Sequence, residues 1–503
     1  MPSDRTNIAL VVLLLTISIV SASSRFQSMD RFSVKHLKET IIGLNNVGPQ
    51  DGRKMIVERQ IILPGLNYTR EGDVADDYIG HHAGYYNIVH SNAARLFYYF
   101  FESRESGDDP VVLWLTGGPG CSSELAIFYE NGPFKFVDDM SLVWNNHGWD
   151  KVSNIIYVDQ PIGTGFSYSS DKNDLRHNEN GISNDLYDFM QAFLEEHFQY
   201  VNNDFYIIGE SYAGHYIPAF ANRIYQGNQQ NQGIHINLKG IAIGNGLTNP
   251  SIQYSAYTDY AFDMGLITES DKEEIDKNVP KCLESIENCD TTGTSFSCSD
   301  SFRICNNDIY VAIVRIAGNV NIYDIRADCG NSNLCYDFSN MDKYLNKKSV
   351  KDSLGVGDKV KFELCSPAVY DAMQNDWMRN FDIDIPKLVE NGIKLLVYAG
   401  EYDLICNWIG NSRWVSSMKW TGQRKYNSAP TVRFVVDTEE AGELKSYANV
   451  SFLKVFDAGH MAPMDQPRVA LTMLKRWMNG KLTEEERTAS LFQTNTSTDK
   501  EVR

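Results

Sequence analysis

A serine hydroxyl becomes a useful nucleophile when an imidazole takes its proton and a carboxylate holds that imidazole in place. One serine here is set up for this. Gly209-Glu210-Ser211-Tyr212-Ala213-Gly214 follows the apolar run 204–208 and precedes a helical pattern, so Ser211 falls at a strand-to-helix turn that exposes its hydroxyl. The pattern is G-x-S-x-A-G rather than G-x-S-x-G, and a motif this short also occurs as an ordinary turn. Chain order supplies the partners. Of the three histidines beyond Ser211, His215 lies one turn along the same helix and His235 just before a strand, which leaves His460, in the loop D-A-G-H after an apolar run. The order Ser, Asp, His puts the acid at the exit of the preceding strand, where Y-A-G-E-Y-D offers Asp403, with Glu401 as the competing, earlier carboxylate. The oxyanion that develops needs two backbone N–H groups. Tyr212 offers one, and the glycine-rich stretch W-L-T-G-G-P-G-C at 114–121 offers the other. No Gly-Lys-Ser/Thr follows those glycines, which argues against a phosphate-binding loop.

These residues need strands to carry them. Short β-rich runs are expected at 84–89, 95–101, 111–115, 154–158, 204–208, 238–243, 393–399 and 450–456, with helices at about 182–198 and 468–479. Strands alternating with helices predict an α/β fold with a mostly parallel central sheet. The rhythm is lost at 247–372, where six cysteines crowd together, so this stretch is expected to form an inserted, disulfide-stapled helical cap between core segments 78–246 and 373–480. Residues 25–77 are polar and irregular, as in a propeptide or N-terminal arm, and 481–503 read as a polar tail. The glycines of G-I-A-I-G-N-G at 240–246 come too late for a dinucleotide fingerprint and read as a turn.

Residues 8–20 are almost unbroken apolar sequence, preceded by Arg5 and followed by Ser21, Ala22 and Ser23, the layout of a signal peptide over 1–24. The run is shorter than the roughly 18 residues of a membrane-spanning helix, so no membrane anchor is expected. With 46 basic against 65 acidic residues, the net charge of -19 repels nucleic acid. A hydrophobic content of 43% is enough for a large core. Nine cysteines behind a signal peptide read as disulfides with at least one thiol left over, and no C-x-x-C pair favours zinc. Sequons at Asn67, Asn449 and Asn495 fit the same secretory route, secreted or towards a vacuole or lysosome.

The segments G-G-P-G-C-S-S, G-E-S-Y-A-G, D-L-I-C-N-W-I-G-N and G-H-M-A-P-M-D-Q-P together resemble the serine carboxypeptidases, from about Gly84 to Gly480. The resemblance implies an α/β-hydrolase fold and no metal or organic cofactor. It makes Ser211, Asp403 and His460 the triad, and Gly118 and Tyr212 the oxyanion donors. It implies that a substrate's free C-terminal carboxylate meets Thr116, Gly117 and Glu210, with Glu130 as a second acid. Two adjacent carboxyls cannot both ionise cheaply, so one keeps a proton and an acidic optimum is expected. It also pairs Cys121 with Cys365, Cys282 with Cys305, Cys289 with Cys298 and Cys329 with Cys335. Cys406 is left as a free thiol, either close to the pocket or simply buried and inert. Tyr129, Tyr323, Tyr336 and Met461 match the pocket for the leaving residue, and Ile405 lies beside Cys406. The expected activity is release of C-terminal amino acids from peptides. Thr116, where the family's peptidases typically carry Asn, keeps open an acyltransferase that uses glucose esters. A non-catalytic peptide binder is the remaining alternative.

Overall fold

The computed structural model describes residues 55–66, 80–137, 140–330 and 334–483. The signal peptide, most of 25–77, the sequons at Asn67 and Asn495 and the tail from 484 lie outside the described residues. Thirteen strands are present among those described: β1 Ile56–Gln60, β2 His81–Asn87, β3 Arg95–Phe101, β4 Val111–Leu115, β5 Phe134–Phe136, β6 Leu142–Trp144, β7 Asn154–Val158, β8 Phe205–Glu210, β9 Leu238–Gly244, β10 Lys394–Gly400, β11 Thr431–Val436, β12 Glu439–Tyr447 and β13 Val450–Val455. Eleven form one sheet in the order β1-β2-β3-β7-β4-β8-β9-β10-β13-β12-β11, while β5 and β6 pair separately. The centre, from β7 to β13, is parallel, and both flanks are antiparallel.

The central strands are apolar at nearly every position because helices cover both faces. In β4, Val111, Leu113 and Leu115 enter one core, and Val112 and Trp114 the other. The helix Glu179–Glu196, capped by the Asn178 side chain on Gly181 N, packs beside Ala213–Gln229, which follows the nucleophile turn. The chain passes from β4 out to β7, then returns to the other side of β4 as β8. That reversal leaves a crevice at the carboxyl ends of β4 and β8, where open α/β sheets place ligands. The architecture is the α/β-hydrolase fold.

The strand expected at 238–243 is β9, and it contains the G-I-A-I-G glycines that also read as a turn. A Cβ at Gly240 would lie 2.8 Å from the Trp477 ring and one at Gly244 2.3 Å from Tyr398, so the glycines are needed for close ring packing. β1 falls inside the stretch read as propeptide or arm, yet it pairs with β2, and Leu63 and Leu66 just beyond it are buried. Among the described residues between β9 and β10 no strand joins the main sheet. Short helices run instead, and Cys282–Cys305, Cys289–Cys298 and Cys329–Cys335 close within that region. Cys121–Cys365 ties it to the loop after β4. Asn449, the sequon among the described residues, sits in the turn between β12 and β13, partly buried, with Nδ2 donating to Val389 O at 3.3 Å. Among the described residues no helix is long and apolar enough to cross a membrane.

Candidate active site

Ser211 stands at the tip of β8 with φ +66°, a left-handed conformation that costs a non-glycine residue on the order of 1–3 kcal/mol. Its backbone is held there from both sides: Ser211 N donates to Gly244 O and Leu247 N donates to Ser211 O, each at 3.0 Å. The flanking glycines permit the turn. A Cβ at Gly209 would lie 2.2 Å from Leu115 O, and one at Gly214 2.4 Å from Leu247 O.

Asp403 follows β10 and is fully buried. Its Oδ2 contacts His460 Nδ1 at 2.8 Å and accepts from Asn245 Nδ2 at 2.8 Å. Of the two carboxylates it is Asp403 that contacts His460, while Glu401 pairs with Lys454 at 3.0 Å. His215 is held elsewhere: Nδ1 lies 2.6 Å from Leu247 O and Nε2 3.1 Å from Trp377 O, and burial pushes it down to about 4, so it stays neutral. His235 is exposed.

Ser211 and His460 both open on a cavity of about 610 Å³. Thr116, Gly117, Gly118, Glu210 and Tyr212 line it beside them. A Cβ at Gly117 would lie 2.4 Å from Tyr212 N, so the β4 loop lies directly against the amide that follows the nucleophile. Two glycines side by side leave those amides accessible, the requirement of an oxyanion site. The Thr116 hydroxyl oxygen accepts from Trp114 Nε1 at 2.9 Å, which leaves its hydrogen free to donate into the cavity.

Glu210 and Glu130 are both buried, and their carboxyls interact. Burial and the Glu130 charge push Glu210 well above the usual carboxylate range. Burial raises Glu130 to about 7. Both Glu130 oxygens and Glu210 Oε2 lack a hydrogen-bond donor from the rest of the protein. Among the described residues that line the cavity there is no Lys or Arg, so an anion entering it meets neutral donors.

The chain belongs to the serine carboxypeptidase family. The family's model matches residues 74–480. Serine carboxypeptidase-like 48 of Arabidopsis thaliana is 60% identical over 442 residues, covering 87% of this chain and 86% of that one. Serine carboxypeptidase 3 of Hordeum vulgare is 58% identical over 429 residues, covering 85% and 82%. Among solved structures, Kex1Δp, a prohormone-processing carboxypeptidase from Saccharomyces cerevisiae, superposes with a TM-score of 0.73 at 26% identity, covering 81% of this chain and 93% of that one.

The residues singled out on the serine carboxypeptidase pattern divide into those on the cavity wall and those behind it. Tyr323, Tyr336, Ile405, Cys406 and Met461 are on the wall. Glu130 stands behind Glu210 and reaches the cavity only through it. Tyr129 is set back too: its ring packs on Phe338 at 4.8 Å, and Phe338 takes the place on the wall. The four disulfides join the pairs implied by the family, and Cys406 is the free thiol among the described residues. Burial and the Asp403 and Glu210 charges push the Cys406 thiol up, away from the reactive thiolate. Asp403, Cys406 and His460 bring donor atoms within 4.8 Å of one another. They suit a metal poorly, because Asp403 Oδ2 is already engaged by both His460 and Asn245, and the thiol holds its proton.

Three features escaped sequence reasoning. Asn245, which orients Asp403, hides at the end of the glycine run, with a signal only in its place directly after a strand. Tyr257 completes the wall from the inserted region, where short helices give no periodic cue, and Trp377 completes it from the segment just beyond that region.

Proposed function

We propose that this protein is a serine-type carboxypeptidase that releases C-terminal amino acids from peptides through an acyl-enzyme. The observation that carries this reading is the buried Glu130–Glu210 pair beside Ser211. In a cavity without a cationic side chain, a protonated carboxyl is the donor that fits a substrate's terminal carboxylate, and it fits only below the pair's raised titration range. In this reading Glu210, the Thr116 hydroxyl and the Gly117 backbone hold that carboxylate.

Ser211 Oγ then attacks the last peptide carbonyl while His460 takes its proton, with Asp403 on Nδ1 fixing the tautomer. Gly118 and Tyr212 N–H groups receive the oxyanion. His460 passes the proton to the departing amino acid, leaving an ester on Ser211, and then deprotonates the water that hydrolyses it. The wall formed by Tyr323, Tyr336, Phe338 and Met461 suits the leaving residue, and Ile405, Cys406 and Trp377 line the same cavity. Residues 247–372 form the cap over this site, and the signal layout, disulfides and sequons support a secreted or vacuolar destination.

Purified, processed protein is to be incubated with a blocked dipeptide and, separately, with a glucose ester plus an acceptor alcohol, at pH 5 and pH 8. Release of free amino acid at pH 5, weakening by pH 8, without ester turnover, is expected. Acyl transfer from the ester without amino-acid release would make it an acyltransferase. Failure of a fluorophosphonate to label Ser211 would leave only a peptide binder.

A further inference from the structure

The acid and the histidine arrive on separate loops, 401–405 after β10 and 456–465 after β13. Pairing of the two strands does not fix how two loops lean towards each other. One short segment of the inserted region, 321–326, touches both. Ile322 O accepts from Leu404 N at 3.2 Å and Ile405 N at 3.1 Å, and Ile325 N donates to Tyr402 O at 3.0 Å, so this strap brackets Asp403. On the other loop, His460 N donates to Tyr323 O at 2.7 Å, and the Tyr323 ring meets the imidazole edge-on at 5.2 Å. Gly459 lies so close that a Cβ would sit 2.4 Å from Tyr323 O.

Arg326 closes the clasp. Its Nε and Nη2 hold both oxygens of Asp324 at 2.8 and 2.6 Å. Nη1 donates to Asp457 O at 3.0 Å, and Nη2 lies 3.5 Å from Asp465 Oδ2, which in turn accepts Gly459 N–H at 2.7 Å. The guanidinium covers the Tyr402 ring at 4.8 Å. One planar group with five donors thus reaches the acid loop at Tyr402 and the histidine loop on both sides of His460. It does so from the surface: the side chain is 37% exposed and is absent from the cavity wall.

Resting on the peptidase reading above, we propose that Arg326 is a positioning residue that keeps Asp403 and His460 in register by clamping both of their loops to the strap. The magnitudes separate this role from a merely stabilising one. Exposed ion pairs contribute little to stability. A displacement of about 1 Å in a reacting group costs up to about 100-fold in rate. Losing Arg326 therefore costs turnover far more than it costs the fold.

The test is to count intact sites by end-point fluorophosphonate labelling and to measure kcat and KM on a blocked dipeptide for wild type, Arg326→Gln and Arg326→Lys. Arg326→Gln is expected to label fully, to lose about tenfold or more in kcat per labelled site, and to keep KM within about twofold. Arg326→Lys, which keeps the charge but not the fork, falls between. A kcat per labelled site within about twofold of wild type, or a loss matched by a smaller labelled fraction, overturns the proposal. If Arg326→Gln does not accumulate, Asp324→Asn, which removes the anchor of the guanidinium, is read in the same way. If wild type labels but cleaves no dipeptide, the peptidase reading fails, and the proposal is then decided by labelling rate, which Arg326→Gln slows if Arg326 positions His460 and leaves unchanged if it does not.

Discussion

Two buried carboxyl pairs flank the nucleophile turn, and they have opposite surroundings. Glu130–Glu210 sits beside Ser211, and three of its four oxygens lack a donor from the rest of the protein. Glu179–Asp376 lies behind Tyr212, between the start of the helix Glu179–Glu196 and the segment by which the chain leaves the inserted region. There Asp376 accepts the Glu179 backbone N–H at 3.0 Å and faces Arg379 at 3.3 Å. Burial raises all four groups, Asp376 to about 6 and Glu130 to about 7. The difference teaches what a raised carboxyl is for. Both pairs keep orphan oxygens, but those of the first belong to a pair that reaches the cavity wall at Glu210, whereas in the second both Glu179 oxygens lack a partner away from that wall and Asp376 is served by a backbone N–H and Arg379.

The largest test of that contrast is Glu210→Ala. Removing a neutral donor to a charged acceptor costs about 1.5–3 kcal/mol, so kcat/KM on a dipeptide with a free carboxylate is expected to fall about 10- to 100-fold at pH 5, through KM. The amidated dipeptide, which has no carboxylate to hold, is expected to change by less than about threefold. Wild-type KM for the free acid rises as pH passes through about 7, where Glu130 ionises. Equal losses on acid and amide would remove the ligand-binding role from the first pair.

Glu179→Gln probes the second pair. A carboxyl whose folded pKa is raised contributes stability that is fully present below its unfolded pKa and lost as pH rises through its folded pKa. For Asp376 folding raises the value from 3.8 to about 6, so its share of the wild-type Tm is expected to decline from about pH 4 and to level off above about pH 6. With Glu179 neutral, Asp376 ionises against Arg379 and a backbone N–H without a like charge beside it. The decline in Tm is then shallower, while kcat/KM at pH 5 stays within about twofold. An unchanged slope with lost activity would assign this pair to the site rather than to the fold.

The same division governs what the sequence disclosed. Reaction chemistry imposes chain order and turn residues, so Ser211, Asp403, His460 and the loop at 116–118 stood out before any coordinate was known. The buried central strands are continuous apolar runs and were found within a residue or two. β1, β11 and β12 are missed because the strands on the antiparallel flanks of the sheet mix polar residues freely, E-E-A-G-E-L-K-S-Y in β12 being half charged or polar. Asn245 and Arg326 act through partners more than 120 residues away, at Asp403 and Asp457, and local sequence holds no trace of such pairings. Tyr129 matches the family's leaving-residue pocket in sequence, but the π-helical turn Ala126–Glu130 packs its ring against Phe338 instead.

Thr116 gives the finest test of the first pair, because its hydroxyl serves two partners at once. The oxygen accepts from Trp114 Nε1, and Thr116 lines the cavity, where its hydrogen is free to donate. Thr116→Val removes both roles, leaving a buried indole N–H unpaired at about 1–3 kcal/mol of stability. Thr116→Ser keeps both. A hydrogen bond to a charged group contributes about 1.5–3 kcal/mol, and the lower end applies where Glu210 still holds the carboxylate, so the valine variant is expected to raise KM for the free-carboxylate dipeptide about tenfold, while the serine variant stays near wild type. The ratio of free acid to amide isolates the carboxylate contact from the packing change, since both substrates feel the latter. A valine variant that weakens both equally would mean that Thr116 serves Trp114 alone, and that Glu210 and the glycine backbone hold the carboxylate without it.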